Sequence, residues 1–363
     1  MSLAAAMHSP AHPVMQPVSH YIAGRARWQP WEIVFWVLAA ASIFLLPSKH
    51  LILTEIAILG LFALSLDLIL GYAGIVSLGH AAYFGFGAYV AGIITKYSIT
   101  EPVAGLVVAG LASALLGFVT SFLVLRGSDL TRLMVTLGVA SVLRELANQL
   151  AWLTGGADGL QGVLVGPVLG MFDFDIAGHT AYVYSIVVLF VLFLGARRIV
   201  NSPFGLSLRS LRGNSLRASN IGIPVNHRLV TIYTVAAGYA GVAGALLTQT
   251  TAFASLDVLS FDRSADLLLV LIIGGTGYLY GGLIGALIFK FMQDYLANLT
   301  PQYWQFWIGL VLVIIVLIGR PRMSAWMAPV RNLLGRFDRR GMRPASRAAA
   351  PPSTPTTSNP REP

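Results

Sequence analysis

Apolar runs of membrane-crossing length recur along almost the whole chain, and they restrict its fold more than any other feature. They fall at roughly 31–47, 51–70, 75–96, 102–125, 132–153, 180–196, 229–252, 265–280, 282–299 and 303–319. A helix needs about 20 apolar residues to cross a bilayer. Charged residues make up only 11% of the 363 against 56% hydrophobic ones, and the mean hydropathy is +0.73, which excludes a soluble two-domain protein. The expected fold is all-α, a polytopic membrane protein of about ten transmembrane helices with glycine-broken segments. There is no cysteine, so disulfides and thiolate chemistry are excluded.

The segment Gly71–Gly92 is the least ordinary of these runs. It is apolar, yet it holds six glycines, Ser77 and His80. Each interior glycine costs a helix about 1 kcal/mol relative to alanine. Loosened backbone at membrane depth is tolerated only where protein or a water-filled cavity covers it. Gly71, Gly74, Ser77, Gly79, His80 and Gly85 are therefore candidates for a translocation pathway or for close helix packing. A second glycine break, Gly274–Gly282, separates two runs short for a full crossing, so two short helices or a re-entrant hairpin fit equally. Gly274, Gly275, Gly277, Gly281 and Gly285 join the candidates, the last three at i, i+4 and i+8 as one packing face.

The net charge of +9 sits mostly on arginines in loops and tails. With the N-terminus inside, nineteen basic residues fall on the cytoplasmic side, against Lys49, Lys96 and Arg263 outside. That places both termini in the cytoplasm, with a tail over 1–30 and a basic, partly disordered tail over 321–363. Nothing in the distribution calls for nucleic acid.

Other features have competing readings. Small residues on 229–252, Ala237, Gly241 and Ala245 beside Ala236, Ala240 and Gly244, signal tight association, within the chain more readily than between subunits. The basic stretch 201–226 carries Leu208, Leu211, Leu216 and Ile221 as an apolar stripe with arginines on the other side, a short amphipathic helix. Periodicity alone favours anionic lipid headgroups as its partner over a cytoplasmic protein. Lys290 and Asp294 are spaced to pair on one helix, and Glu55, Asp266 and Asp294 sit near span ends. Asp67, four residues before Gly71, fits a hydrogen bond to loosened backbone. His80 fits a structural tie to a neighbour.

No Walker A loop, His-Glu-x-x-His motif or Gly-x-Ser-x-Gly elbow is present, so the chain carries no P-loop ATPase of its own. It reads as a translocation component rather than an enzyme. Uphill transport would draw on an ion gradient, as in a secondary transporter, or on a separate ATPase.

Three motifs in order carry a resemblance. Gly71-Tyr-Ala-Gly-Ile-Val-Ser-Leu-Gly-His-Ala-Ala-Tyr-Phe-Gly-Phe-Gly-Ala-Tyr89, Thr154-Gly-Gly-Ala-Asp-Gly-Leu-Gln-Gly162 and Ile272–Ala286 resemble the signatures of branched-chain amino acid ABC transporter permeases of the LivM type. The resemblance implies a ten-helix inner-membrane importer subunit over 31–320, working by alternating access without a cofactor of its own. It implies a LivH-like permease, two cytoplasmic ATPase subunits that bind the ATP, and a periplasmic substrate-binding protein as partners, besides membrane lipid. It turns 201–226 into a coupling segment that seats in the ATPase, with Leu208, Arg209, Arg212, Arg217, Ala218 and Gly222 as the contact. The acidic residues common there in the family are missing. Branched-chain amino acids are the implied cargo, with urea, short amides and aromatic acids as alternatives.

Overall fold

The computed structural model describes residues 28–98, 100–175 and 177–318. Most of the N-terminal tail and all of the basic 321–363 tail, with its arginines, lie outside the described residues. The described residues through Ile308 form one compact unit, and the end of the helix Trp304–Ile318 belongs to a second.

Each apolar run of the sequence is helical over most of its length. In order these are α1 (Pro30–Leu45), α2 (His50–Asp67), α3 (Ala81–Tyr97), α4 (Pro102–Val124), α5 (Asp129–Gln149), α6 (His179–Val200), α7 (Pro203–Gly213), α8 (Ser215–Asn220), α9 (Val225–Thr251), α10 (Phe261–Gly274), α11 (Leu279–Leu299) and α12 (Trp304–Ile318). Helix starts follow local chemistry. Pro102 opens α4, where its missing N–H costs nothing, and the Glu101 carboxylate accepts from Ala104 N at 2.7 Å. The amphipathic segment is two helices rather than one. Asn214 is extended at φ −162°, ends α7 and caps α8 by accepting from Arg217 N at 3.0 Å.

Among the described residues, four helical stretches are long and apolar enough to cross a membrane alone: Pro47–Ala73, α4, α6 and α9. The pair α10–α11 is apolar enough only when taken together and is bent by 111° at its break, the form of a broken span or of a re-entrant loop. The other runs fall short for visible reasons. α3 has only 17 residues because 74–80 is not helical, and α5 carries Asp129, Arg132, Arg144 and Glu145.

The core is built on α9, which packs against α4, α3 and α2. Its small residues let backbone approach backbone. A Cβ on Gly241 would overlap the Ser113 side chain of α4, and one on Gly244 would overlap the Phe84 carbonyl of α3. The stripe on 229–252 is therefore an intrachain contact, with Ala236, Ala237, Ala240 and Ala245 fully buried. α4 turns Leu111, Leu115, Val119 and Leu123 outward, an apolar face suited to hydrocarbon.

Candidate functional site

The chain's two glycine breaks and its amphipathic helix meet at one place. α2 does not end at Asp67 but widens into a π-helical turn, Leu68–Ala73, closed by Gly74 at φ +78°. Turns of this kind loosen the helical ladder and recur at functional sites. The following 74–80 stretch runs non-helical before α3 begins. The 75–96 run is therefore helical only from Ala81, because the Gly74 conformation breaks the continuing ladder.

Asp67 is fully buried, and its Oδ1 accepts from the backbone N–H of Gly277 at 2.7 Å. This bond joins the first break to the second across 210 residues of sequence. Gly71 is required at the contact, since a Cβ there would lie 2.5 Å from Gly277 N and 2.7 Å from Asp67 Cγ. Arg212 of α7 completes the junction by donating from Nη1 to the Gly71 carbonyl oxygen. The same guanidinium lies against Gly277, whose Cα would bear a Cβ 2.7 Å from Nη1. Beside it, Arg209 stands over the Tyr72 ring at 5.3 Å.

The remaining glycines of the second break tighten it. Gly274, Gly281 and Gly285 bring the backbones of α10 and α11 into contact, each leaving no room for a Cβ. Gly277 does not share their helical face, because α11 starts only at Leu279 and Gly277 sits in the break at φ +81°. Gly275, at φ +92°, has open space around it.

Ser77, Gly79, His80 and Gly85 are all buried. His80 is 1% exposed, with Nε2 2.9 Å from Ser65 Oγ and its ring stacked on Phe62 at 5.8 Å. Gly79 sits against the Thr136 backbone of α5, and Gly85 against Leu259. The 154–162 loop is anchored where Leu160 forms a two-way backbone bridge with Ala254, at 2.8 and 3.3 Å.

On the amphipathic segment the expected sidedness is only half kept. Leu208, Leu211 and Ala218 are buried, whereas Leu216 and Ile221 are 76% and 74% exposed. Arg209 and Arg212 reach the first break with their guanidinium groups, although Arg212 as a whole remains exposed. Arg217 and Gly222 are exposed, Gly222 at φ +86°. Lys290 does not pair with Asp294. Its Nζ donates to Glu55 Oε2 on α2 at 2.7 Å, since α11 packs along α2.

Residues 50–316 match the family model described as branched-chain amino acid transport system / permease component. The chain belongs to this family. It is 24% identical over 313 residues to the high-affinity branched-chain amino acid transport system permease protein LivM of Escherichia coli K12, covering 80% of this chain and 73% of that protein. It is 27% identical to the L-arabinose ABC transporter permease protein AraH of Azospirillum brasilense, covering 83% and 92%. The ribose import permease protein RbsC of Bacillus subtilis is 28% identical, covering 77% and 87%. No solved structure matches. The chain is thus a multi-pass membrane permease of the ABC transporter class, a translocation subunit rather than an enzyme, and the family resemblance of its motifs is borne out.

Proposed function

We propose that this chain is one of two membrane subunits of an ATP-driven importer in the bacterial inner membrane, with both termini cytoplasmic. The observation that carries the reading is the three-way junction, in which Arg212 holds the Gly71 carbonyl while Asp67 holds the Gly277 amide. A force on α7 reaches both broken helices through these bonds. α7 and α8 sit at the end where the charge distribution puts the cytoplasm. The exposed Leu216, Arg217 and Ile221 face away from the core and form the surface offered to an ATPase.

In this mechanism ATP-driven closure of two partner ATPases shifts α7–α8. The π-turn at 68–73 and the bend at 275–278 are the points that yield, because neither has a complete helical ladder. Alternating access follows from changing the angle of α2, α10 and α11 against the α9 core. A LivH-like permease and a periplasmic binding protein complete the assembly. The cargo is a branched-chain amino acid or a related small polar solute. The sugar permeases among the relatives favour a second reading, a pentose or hexose.

The test separates docking from coupling. Leu216→Ser with Ile221→Ser removes exposed apolar contacts, so the ATPases no longer copurify with an otherwise folded permease. Arg212→Ala keeps the ATPases bound but lowers uptake. Normal copurification and uptake in both variants refute the proposal, and solute uptake driven by an ion gradient without ATP would establish a secondary transporter.

A further inference from the structure

At the other end of α2, α10 and α11 lies a cleft of about 210 Å³ that the junction does not explain. One water needs roughly 10–15 Å³ of such space, so the cleft admits a small solute. Its rim carries Glu55 of α2, Lys290 of α11, and Arg263 and Asp266 of α10. Its floor is Phe62 and Phe84, stacked with centroids 4.4 Å apart. Both phenyl rings are buried, at 3% and 5% exposure. The four rim charges are two of each sign and sum to zero. In helices that are otherwise apolar, such charges are costly and mark pathways or partners.

We propose that this cleft is the permease's own solute site, and that it takes a zwitterionic α-amino acid with an apolar side chain. The reading rests on the importer function proposed above and names its cargo class. The solute's ammonium lies against Glu55 and Asp266, its carboxylate against Lys290 and Arg263, and its side chain on the Phe62–Phe84 floor. The geometry explains the preference. Glu55 and Lys290 are already paired at 2.7 Å on the rim. A zwitterion entering between them replaces one ion pair with two, so no charge is left unpartnered. A neutral sugar parts the same pair and offers only hydroxyls in return. A site built to match charged groups rejects ligands lacking them, because its own charges are then left unpaired.

The cleft is also wired to the junction. Asp67 lies twelve residues beyond Glu55 on α2, about 18 Å at 1.5 Å per residue. α10 runs from Arg263 to the break, and α11 returns from it to Lys290. A change of angle at 275–278 therefore changes the separation of Lys290 and Asp266 from Glu55.

The experiment uses the complete transporter reconstituted in proteoliposomes, with radiolabelled leucine and ribose as probes and ATP hydrolysis as a second readout. In Glu55→Gln and Lys290→Met, KM for leucine rises about tenfold or more, the scale of one lost charge-assisted hydrogen bond, and the leucine concentration needed for half-maximal ATP hydrolysis rises with it. The exchanged pair Glu55→Lys with Lys290→Glu recovers part of that loss, which a merely structural role of either residue would not produce. If Lys290→Met does not assemble, Lys290→Arg and Glu55→Gln carry the same comparison, with near-normal KM expected only for the arginine. An unchanged leucine KM in both single variants overturns the site. ATP-driven uptake of ribose but not leucine overturns the cargo class and leaves the importer reading standing. Absence of ATP-driven uptake of either probe by the unaltered complex overturns the importer reading, and this inference with it.

Discussion

Glycine-to-alanine substitution should act in opposite directions at two positions that look alike in the sequence. Gly244 lies inside α9 and Gly138 inside α5. Intrinsic helix preference favours alanine at both by about 1 kcal/mol. At Gly138 nothing lies within 4 Å of the added methyl, so this gain is realised. At Gly244 the methyl would overlap the Phe84 carbonyl oxygen and stand 2.8 Å from its carbon, where ordinary contact begins near 3.4 Å. The obstacle is backbone, and the carbonyl oxygen stands nearer still than the carbon, so α3 and α9 must part by clearly more than the 0.6 Å shortfall at the carbon alone. A gap of about 0.5–1 Å forfeits a quarter to a half of each contact's dispersion energy along the interface. Overpacking of this kind costs about 1–3 kcal/mol and occasionally more, and the cost here falls at the upper end because no flexible side chain can move aside. Net destabilisation is then about 2 kcal/mol. Thermal unfolding of the purified protein followed by tryptophan fluorescence checks it. At about 2–4 °C per kcal/mol, Gly244→Ala lowers Tm by roughly 4–8 °C while Gly138→Ala raises it by roughly 2–4 °C. Shifts of the same sign and size for the two variants would refute the packing argument.

Other outcomes follow from single contacts. Asp67→Ala removes the acceptor of the Gly277 amide, costs about 1–3 kcal/mol and speeds hydrogen exchange in peptides over 274–280; unchanged exchange there removes Asp67 from the junction. Arg197 and Glu32 form an ion pair at 2.7 Å with both side chains 10% exposed. Arg197→Met alone should lose about 3–5 kcal/mol by stranding the carboxylate, and Arg197→Met with Glu32→Leu should lose much less, as paired melting curves will show. Asp175 accepts from Thr180 N at 2.9 Å and from His179 N at 3.3 Å ahead of α6. The Thr180 amide foremost holds its carboxylate below the ordinary range. A depressed pKa stabilises the fold above the unfolded value near 3.9 and loses that contribution as pH falls. The stability gap between wild type and Asp175→Asn should thus close on acidification from pH 6 to pH 3; a gap independent of pH would show that the charge plays no part.

Much of this protein was legible from local chemistry. Composition and run length fixed a helical membrane protein, because no other backbone arrangement suits so much continuous apolar sequence, and each apolar run is indeed helical over most of its length. The small-residue stripe on 229–252 announced a backbone contact, since alanine and glycine at four-residue spacing serve no other purpose so well. The motifs at 71–89 and 272–286 marked the family. Periodicity misled where a side chain's partner lies on another helix. Lys290 has Asp294 in helical register, yet α11 runs along α2 and Glu55 is nearer. Arg209 and Arg212 belong by spacing to a solvated face, yet α7 presses them onto the π-turn.

The pattern of charge, glycine and hydropathy along the chain determined that helices break close to Gly71 and Gly274, at Gly74 and over 275–278, because those preferences are local to a few residues. That the two breaks are one site, joined through Asp67, Gly277 and Arg212, was decided only in three dimensions. So was the gathering of Glu55, Arg263, Asp266 and Lys290 around two phenyl rings. Contacts between residues more than two hundred positions apart depend on how α2, α10 and α11 pack together, and no local preference encodes that.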